Sequence, residues 1–258
     1  MFISKIQLSK ESIAVGEVGE GVLARLVLEV SGDLDYYYRV SYGLVDCFDV
    51  PESPLGFPGI NSVAACVYLK TRYGVCCIAH VRLYDVNSVA LHSLAKAVET
   101  FGIDGLVLTM GDRPKIGSSV DELDTVSAID SLRKSGYCIR IGAILSLRYG
   151  LEDIINRLRI GTDFFLVLRL CLETLDKYRK IYRHARDLGK GLYPYIIVAT
   201  DSNRKLLARI DQPCVEVNEI RDFISEIKNY VDGVILSVPR EKERLREILK
   251  IAKEALSQ

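Results

Sequence analysis

The feature that most constrains this chain is an alternation. From Val22 onward, short and nearly continuous runs of Val, Ile and Leu take turns with longer amphipathic stretches of helical period. Strands that read as unbroken apolar runs are buried on both faces, and crossover helices are what bury them. The strand candidates are Val22 to Val30, Leu44 to Val50, Val75 to Val81, Gly105 to Met110, Cys138 to Leu145, Phe164 to Leu170, Tyr193 to Ala199 and Val231 to Val238. Helices are expected at Ser62 to Tyr73, Ser88 to Phe101, Val120 to Ser135, Leu151 to Ile160, Leu175 to Leu188, Ser202 to Ile210 and Pro239 to Leu256. Eight strands make a single (β/α)8 TIM-type barrel the expected fold of the α/β class, over residues 1–258 with a short extension at about 1–21. A doubly wound open sheet would alternate similarly, but no GxGxxG follows the first strand.

Composition narrows the class of protein. The 258 residues are 49% hydrophobic, enough to fill one large core. The 34 basic and 34 acidic residues balance to a net charge of +0 with no block of one sign, so a nucleic-acid partner is not expected. No apolar run approaches the ~20 residues that span a bilayer, and no export signal opens the chain, so a cytoplasmic location and no membrane partner are expected. The seven cysteines, Cys47, Cys66, Cys76, Cys77, Cys138, Cys171 and Cys214, lack metal-site spacing and read as reduced core residues. Cys76 and Cys77 in particular read as core packing, because neighbours on a strand point to opposite faces. A homo- or hetero-oligomer is left open.

The long, polar, proline-bearing connections follow strands, as at Pro51 to Gly59 and Asp112 to Gly117. In a barrel these loops form the functional face, and the chemistry-bearing residues are sought there. Glu29 ends the first strand and is either a solvated strand-end charge or a general acid kept protonated by partial burial. Asp46, Asp49 and Glu52 crowd the second strand end without a clear liganding spacing, and no metal site is expected. His80 closes the third strand, followed by Arg82, Asp85 and Asn87, a set that could hold a polar heterocycle and phosphates. Asn87 could equally cap the next helix. Gly111 and Asp112, with Pro114 behind them, form a stiff turn in which Asp112 faces either a ligand or its own backbone.

These residues, taken in order, resemble the methylenetetrahydrofolate reductase family. The series is Glu29, then Asp-Cys-Phe-Asp-Val-Pro-Glu-Ser-Pro-Leu-Gly from Asp46, Ala-His-Val-Arg-Leu-Tyr-Asp-Val-Asn from Ala79, and Leu-Thr-Met-Gly-Asp-Arg-Pro from Leu108. The resemblance implies a flavin-dependent barrel that takes hydride from NAD(P)H through FAD to a methylene-pterin. It makes Glu29 and Asp112 catalytic, with Glu29 protonating the pterin nitrogen and contacting the substrate. His80, Gly111, Asp112, Arg82 and Asn87 would bind the cofactor. Arg169 stands where the family places a Gln on the pterin and would meet an anionic edge of the pterin substrate or a phosphate. The chain departs from the family at Met110, at Ile144 to Tyr149 and around Tyr193, so a second reading is a degenerate barrel that serves as a pterin-binding or partner subunit without flavin.

Overall fold

A computed structural model describes residues 25–210 and 212–257. The strands are β1 (Leu26–Glu29), β2 (Cys47–Val50), β3 (Cys76–Arg82), β4 (Gly105–Thr109), β5 (Ile141–Ser146), β6 (Phe164–Leu168), β7 (Gly191–Ala199), β8 (Val215–Glu216) and β9 (Val234–Ser237). The helices are α1 (Leu34–Ser41), α2 (Ser62–Tyr73), α3 (Ser88–Phe101), α4 (Thr125–Lys134), α5 (Leu151–Arg157), α6 (Leu175–Asp187), α7 (Arg204–Ile210), α8 (Ile220–Ile227) and α9 (Leu245–Ser257). Strands β1 to β7 pair in parallel in sequence order, and β9 pairs with both β7 and β1, which closes an eight-stranded (β/α) barrel. The two-residue β8 pairs with the end of β7 outside the ring.

The eight barrel strands coincide with the eight apolar runs, several with shorter limits. The first of the expected strands begins at positions outside the described residues, as does the expected extension. Helices α1 and α8 were not foreseen. Helix α1 carries three consecutive tyrosines in place of an aliphatic stripe, whereas α8 does show the helical period in Ile220, Phe223, Ile224 and Ile227, over only two turns between a short strand and the next loop. The helix expected from Val120 begins only at Thr125, where the Asp124 side chain accepts from Val126 N and Ser127 N.

The core has two parts because strand side chains alternate. One set of residues packs outward against the helices, Leu26, Leu28, Leu106, Leu108 and Phe165 among them. The other fills the barrel axis with Val27, Cys47, Ile78, Val107, Phe164, Leu166, Tyr193, Tyr195 and Ile235. Phe164 fits there because Gly142, its in-register partner, has no side chain; a Cβ on Gly142 would lie 2.4 Å from the ring. Burying such a ring removes roughly 2–3 kcal/mol worth of apolar surface from water.

The cysteines correct the expectation of uniformly reduced thiols. Cys47 and Cys76 are in-register neighbours on β2 and β3, 4.5 Å apart at Cα, and they form a disulfide in the barrel axis. Cys76 is therefore a bridge and not merely packing, while Cys77, on the opposite face, is a free thiol buried with Cys66 in the outer core. Cys138 and Cys214 are exposed, so they are not core residues either. The periodicity that identifies two strands does not give their register, and register decides which sulfurs meet. Among the described residues no helix is long and apolar enough to cross a membrane.

Candidate active site

The carboxyl-terminal end of the barrel carries two polar regions. The first lies on the axis and is built from inward-facing strand positions. Glu29 ends β1 in register with Asp49 of β2. Asp49 is fully buried, and its Oδ1 lies 2.7 Å from His80 Nε2 of β3. The Tyr195 hydroxyl of β7 donates to Asp49 Oδ2. Ser237 of β9 completes the ring by donating to Glu29 Oε1 at 3.2 Å. The side chains of four adjoining strands and of β7 thus converge on one hydrogen-bonded cluster.

This packing sets the protonation of the groups. Burial, aided by the Asp49 charge, pushes the Glu29 carboxyl up to about 7, against the weaker downward pull of His80 and Ser237. Burial alone would lower the His80 imidazole, but the charge and hydrogen bond of Asp49, with Glu29 and Glu52, outweigh it and leave the imidazole above its ordinary value. Burial, Asp49 and Glu29 hold the Tyr195 phenol well above the usual range, so it remains a donor. A carboxyl that titrates near neutrality can give and take a proton under ordinary conditions.

The second region is a cleft of about 740 Å³ at the rim above β4, β5 and β6. Gly111, Asp112 and Arg169 line it together with Thr109, Ser146, Tyr149 and the guanidinium-bearing Arg148 and Arg157. Arg157 donates through Nε to Ile144 O at 2.9 Å, and burial lowers its pKa from the ordinary guanidinium value. Arg148 lies over the Tyr149 ring, 5.2 Å from its centre. Arg169 holds a left-handed backbone, φ +69°, as β6 gives way to the next loop. A non-glycine residue in that conformation is strained, and such strain gathers at ligand sites.

The expected site residues therefore divide. Glu29 and His80 meet on the axis, whereas Gly111, Asp112 and Arg169 meet in the cleft. Arg82 belongs to neither, since it is 5% exposed and its guanidinium is spent within the fold. Its Nε and Nη2 grip the Asp85 carboxylate at 2.6 and 2.7 Å, and Nη1 donates to Ser53 O and Asp112 O, both at 3.2 Å. It thereby ties the loop after β2 to the loop after β4. Gly111 has φ +68°, and a Cβ there would stand 2.8 Å from the Arg82 side chain, so the glycine makes room for that arginine. Asn87 caps α3 by accepting from Ala90 N at 3.0 Å.

The acids that crowd the second strand end are not one group. Asp46 accepts from Arg25 N and Leu26 N at 3.0 and 2.9 Å, and Glu52 accepts from Asn61 Nδ2 and Ser62 N at the start of α2. Asp49 alone reaches the axis. Sequence reasoning saw it only as part of an acidic cluster, and it passed over Tyr195, Ser237 and Arg157. The period-two spacing of Cys47, Asp49 and of Tyr193, Tyr195 was a usable signal for Asp49 and Tyr195, and that of Ile235, Ser237 for Ser237; nothing local marked Arg157.

No family model matches the chain, and no curated protein matches it. Solved structures do. A tryptophan synthase structure from Mycobacterium tuberculosis superposes with a TM-score of 0.59 at 12% identity, covering 92% of this chain and 94% of that one. The tryptophan synthase alpha-subunit from Pyrococcus furiosus gives 0.57 at 11% identity, covering 91% and 96%. The EDTA monooxygenase EmoA from Chelativorans sp. BNC1 gives 0.58 at 9% identity, covering 91% and 93%. At such identities the shared property is the fold: this chain is a TIM barrel.

Proposed function

We propose that the protein is an enzyme, a flavin-dependent oxidoreductase of the methylenetetrahydrofolate reductase type that reduces a methylene-pterin. The observation that carries the reading is Glu29, a carboxyl with a pKa of about 7 at the mouth of the barrel. Reduction of a bridging methylene begins with protonation of a ring nitrogen, and an acid poised near neutrality suits that step. Ser237 orients the Glu29 carboxyl through its hydroxyl.

The cleft fits a phosphorylated planar heterocycle in size and in donors. Arg148 and Arg157 would hold phosphate oxygens, the Thr109 and Ser146 hydroxyls the polar edge of the ring, and Tyr149 its face. FAD bound there would supply the hydride, taken from NAD(P)H. Asp112 faces the same cleft and would modulate charge at its rim, and Arg169 would meet an anionic part of the substrate. Arg82 and Asn87 are left out of this set because the fold already uses them.

That commitment of Arg82 and Asn87 also favours a second reading, a pterin-binding or partner subunit without flavin. The absorption spectrum of the purified protein from about 300 to 550 nm, before and after FAD addition and desalting, separates the two. Flavin bands that bleach with NAD(P)H support the reductase. A colourless protein that retains no FAD overturns it. In the reductase, Glu29→Gln lowers turnover of the methylene-pterin by about 10²–10⁴-fold while the flavin bands remain.

A further inference from the structure

Two carboxylates stand side by side in the barrel axis. Glu29 and Asp49 are in-register partners on adjacent strands, and both point inward. Carboxyl groups this close in a poorly solvated site share one proton more readily than they bear two charges. The hydrogen-bond donors decide where it sits. Asp49 accepts at both oxygens, from His80 Nε2 and from the Tyr195 hydroxyl, and has no exposed surface. Glu29 receives one neutral hydroxyl, from Ser237 at the longer distance of 3.2 Å. With the His80 imidazole protonated at Nε2, as the anionic surroundings favour, a proton placed on Asp49 must displace a donor from an oxygen that water does not reach, whereas a proton on Glu29 displaces nothing comparable.

We propose that Asp49, clamped by His80 and Tyr195, is a positioning residue that assigns the acid proton of the pair to Glu29. This deepens the general-acid reading and rests on it for its functional meaning, although its physical content is the location of one proton. The groups that face Glu29 are Asp49 from β2, His80 from β3, Tyr195 from β7, Ser237 from β9 and Tyr37 from α1, while Glu52 acts on His80 from the loop after β2. Asp49 opposes ionisation of Glu29, and His80 favours it. The two neighbours therefore pull in opposite directions.

The opposition supplies the test. In full-length protein labelled at the glutamate carboxyl carbon, the Glu29 resonance is assigned by its loss in Glu29→Gln and followed against pH. In Asp49→Asn the Glu29 midpoint falls by about one pH unit. In His80→Gln, which keeps a donor to Asp49 but removes the cation, it rises. Tyr195→Phe, which retains the ring, lowers it by less than Asp49→Asn, and it carries the test with His80→Gln should Asp49→Asn fail to fold. An unchanged midpoint in Asp49→Asn and Tyr195→Phe overturns the proposal. So does a fall in His80→Gln, since simple loosening that wets Glu29 lowers the midpoint in every variant. Full turnover by Glu29→Gln would remove the general-acid reading and leave the midpoints to judge the pairing on their own.

Discussion

The axis and the rim cleft lie at the same end of one barrel, yet they are built by different rules. On the axis, Glu29, Asp49, His80, Tyr195 and Ser237 occupy inward positions of paired strands, so closure of the sheet alone brings them together. At the rim, Asp112, Arg148, Tyr149 and Arg169 sit on or beside loops, and their placement depends on what holds those loops. The axis is crowded and shifts the protonation of its groups, while the cleft is open and cationic. The contrast suits a division between proton chemistry below and ligand binding above.

The largest effect that would expose this difference is expected from Arg82→Ala. Arg82 ties the loops after β2 and β4, and its removal leaves the Asp85 carboxylate and two loop carbonyls without their donor. Asp85 is 31% exposed and water would repair part of the loss, so the cost is about 3 kcal/mol and not the upper end for a buried pair. Thermal unfolding should show it as a Tm lower by roughly 10 °C. If the regions are independent, the Glu29 midpoint near neutrality stays in place; a large shift would show that the loops support the axis as well.

Next is the pH dependence of stability, which comes from the axis. The folded pKa of Glu29, about 7, lies above the ordinary 4.5, so its contribution to stability is complete below 4.5 and is lost as pH rises through 7. His80 acts in the same direction, its contribution being lost as pH rises through a folded value above 6.5. Glu29→Gln removes the first part. Its Tm should fall less than the wild type's between pH 4.5 and 7, and at pH 8 it should exceed the wild type by the equivalent of about 2–3 kcal/mol. Parallel curves would mean that Glu29 is solvated and that the axis perturbs its carboxyl no more than the rim would.

The same contrast explains what could be read from the sequence. Strand identity was legible because burial on both faces writes continuous apolar runs, and Glu29 and His80 were legible as polar residues ending such runs. Register was not. The Cys47–Cys76 bridge and the Glu29–Asp49 pairing depend on how far one strand slides along the next, and no local period encodes that. The ordered motif series placed Arg82 and Asn87 among ligand contacts because a sequence shows which donors are present but not which are already spent. Arg157 was invisible for the converse reason: on a short helix it looks like any solvated arginine, and only the neighbouring β5 carbonyl reveals that it turns inward.

Gly111→Ala tests the rim more finely. The substitution combines a left-handed φ of +68° with a Cβ 2.8 Å from the Arg82 chain, and it should cost about 2 kcal/mol. The Arg82 stem must shift although its guanidinium is held, but the contacts of that guanidinium survive, so the effect is smaller than losing the arginine. A loss of ligand binding in the cleft with an unaltered Glu29 midpoint would place Gly111 wholly on the rim side of the comparison.

Arg157→Met is the mildest and the most discriminating change. Methionine keeps an unbranched apolar stem at this position of the cleft lining, and it removes only the guanidinium. Ile144 O then loses a partner in a half-open cleft where water can replace it, so stability should change by less than about 1 kcal/mol. What remains is the ligand term. A guanidinium whose burial already lowers its pKa gains from an anion what it lacks in solvent, and one charge-assisted contact of this kind is worth about tenfold in affinity. Under the proposed flavin reading, titration of FAD into the protein, followed by flavin fluorescence, should therefore give a Kd about tenfold higher in the variant, with a steeper difference at low salt than at high. An unchanged Kd would move the phosphate contacts to Arg148 and Arg169, and with them the centre of the cleft from α5 toward the end of β6.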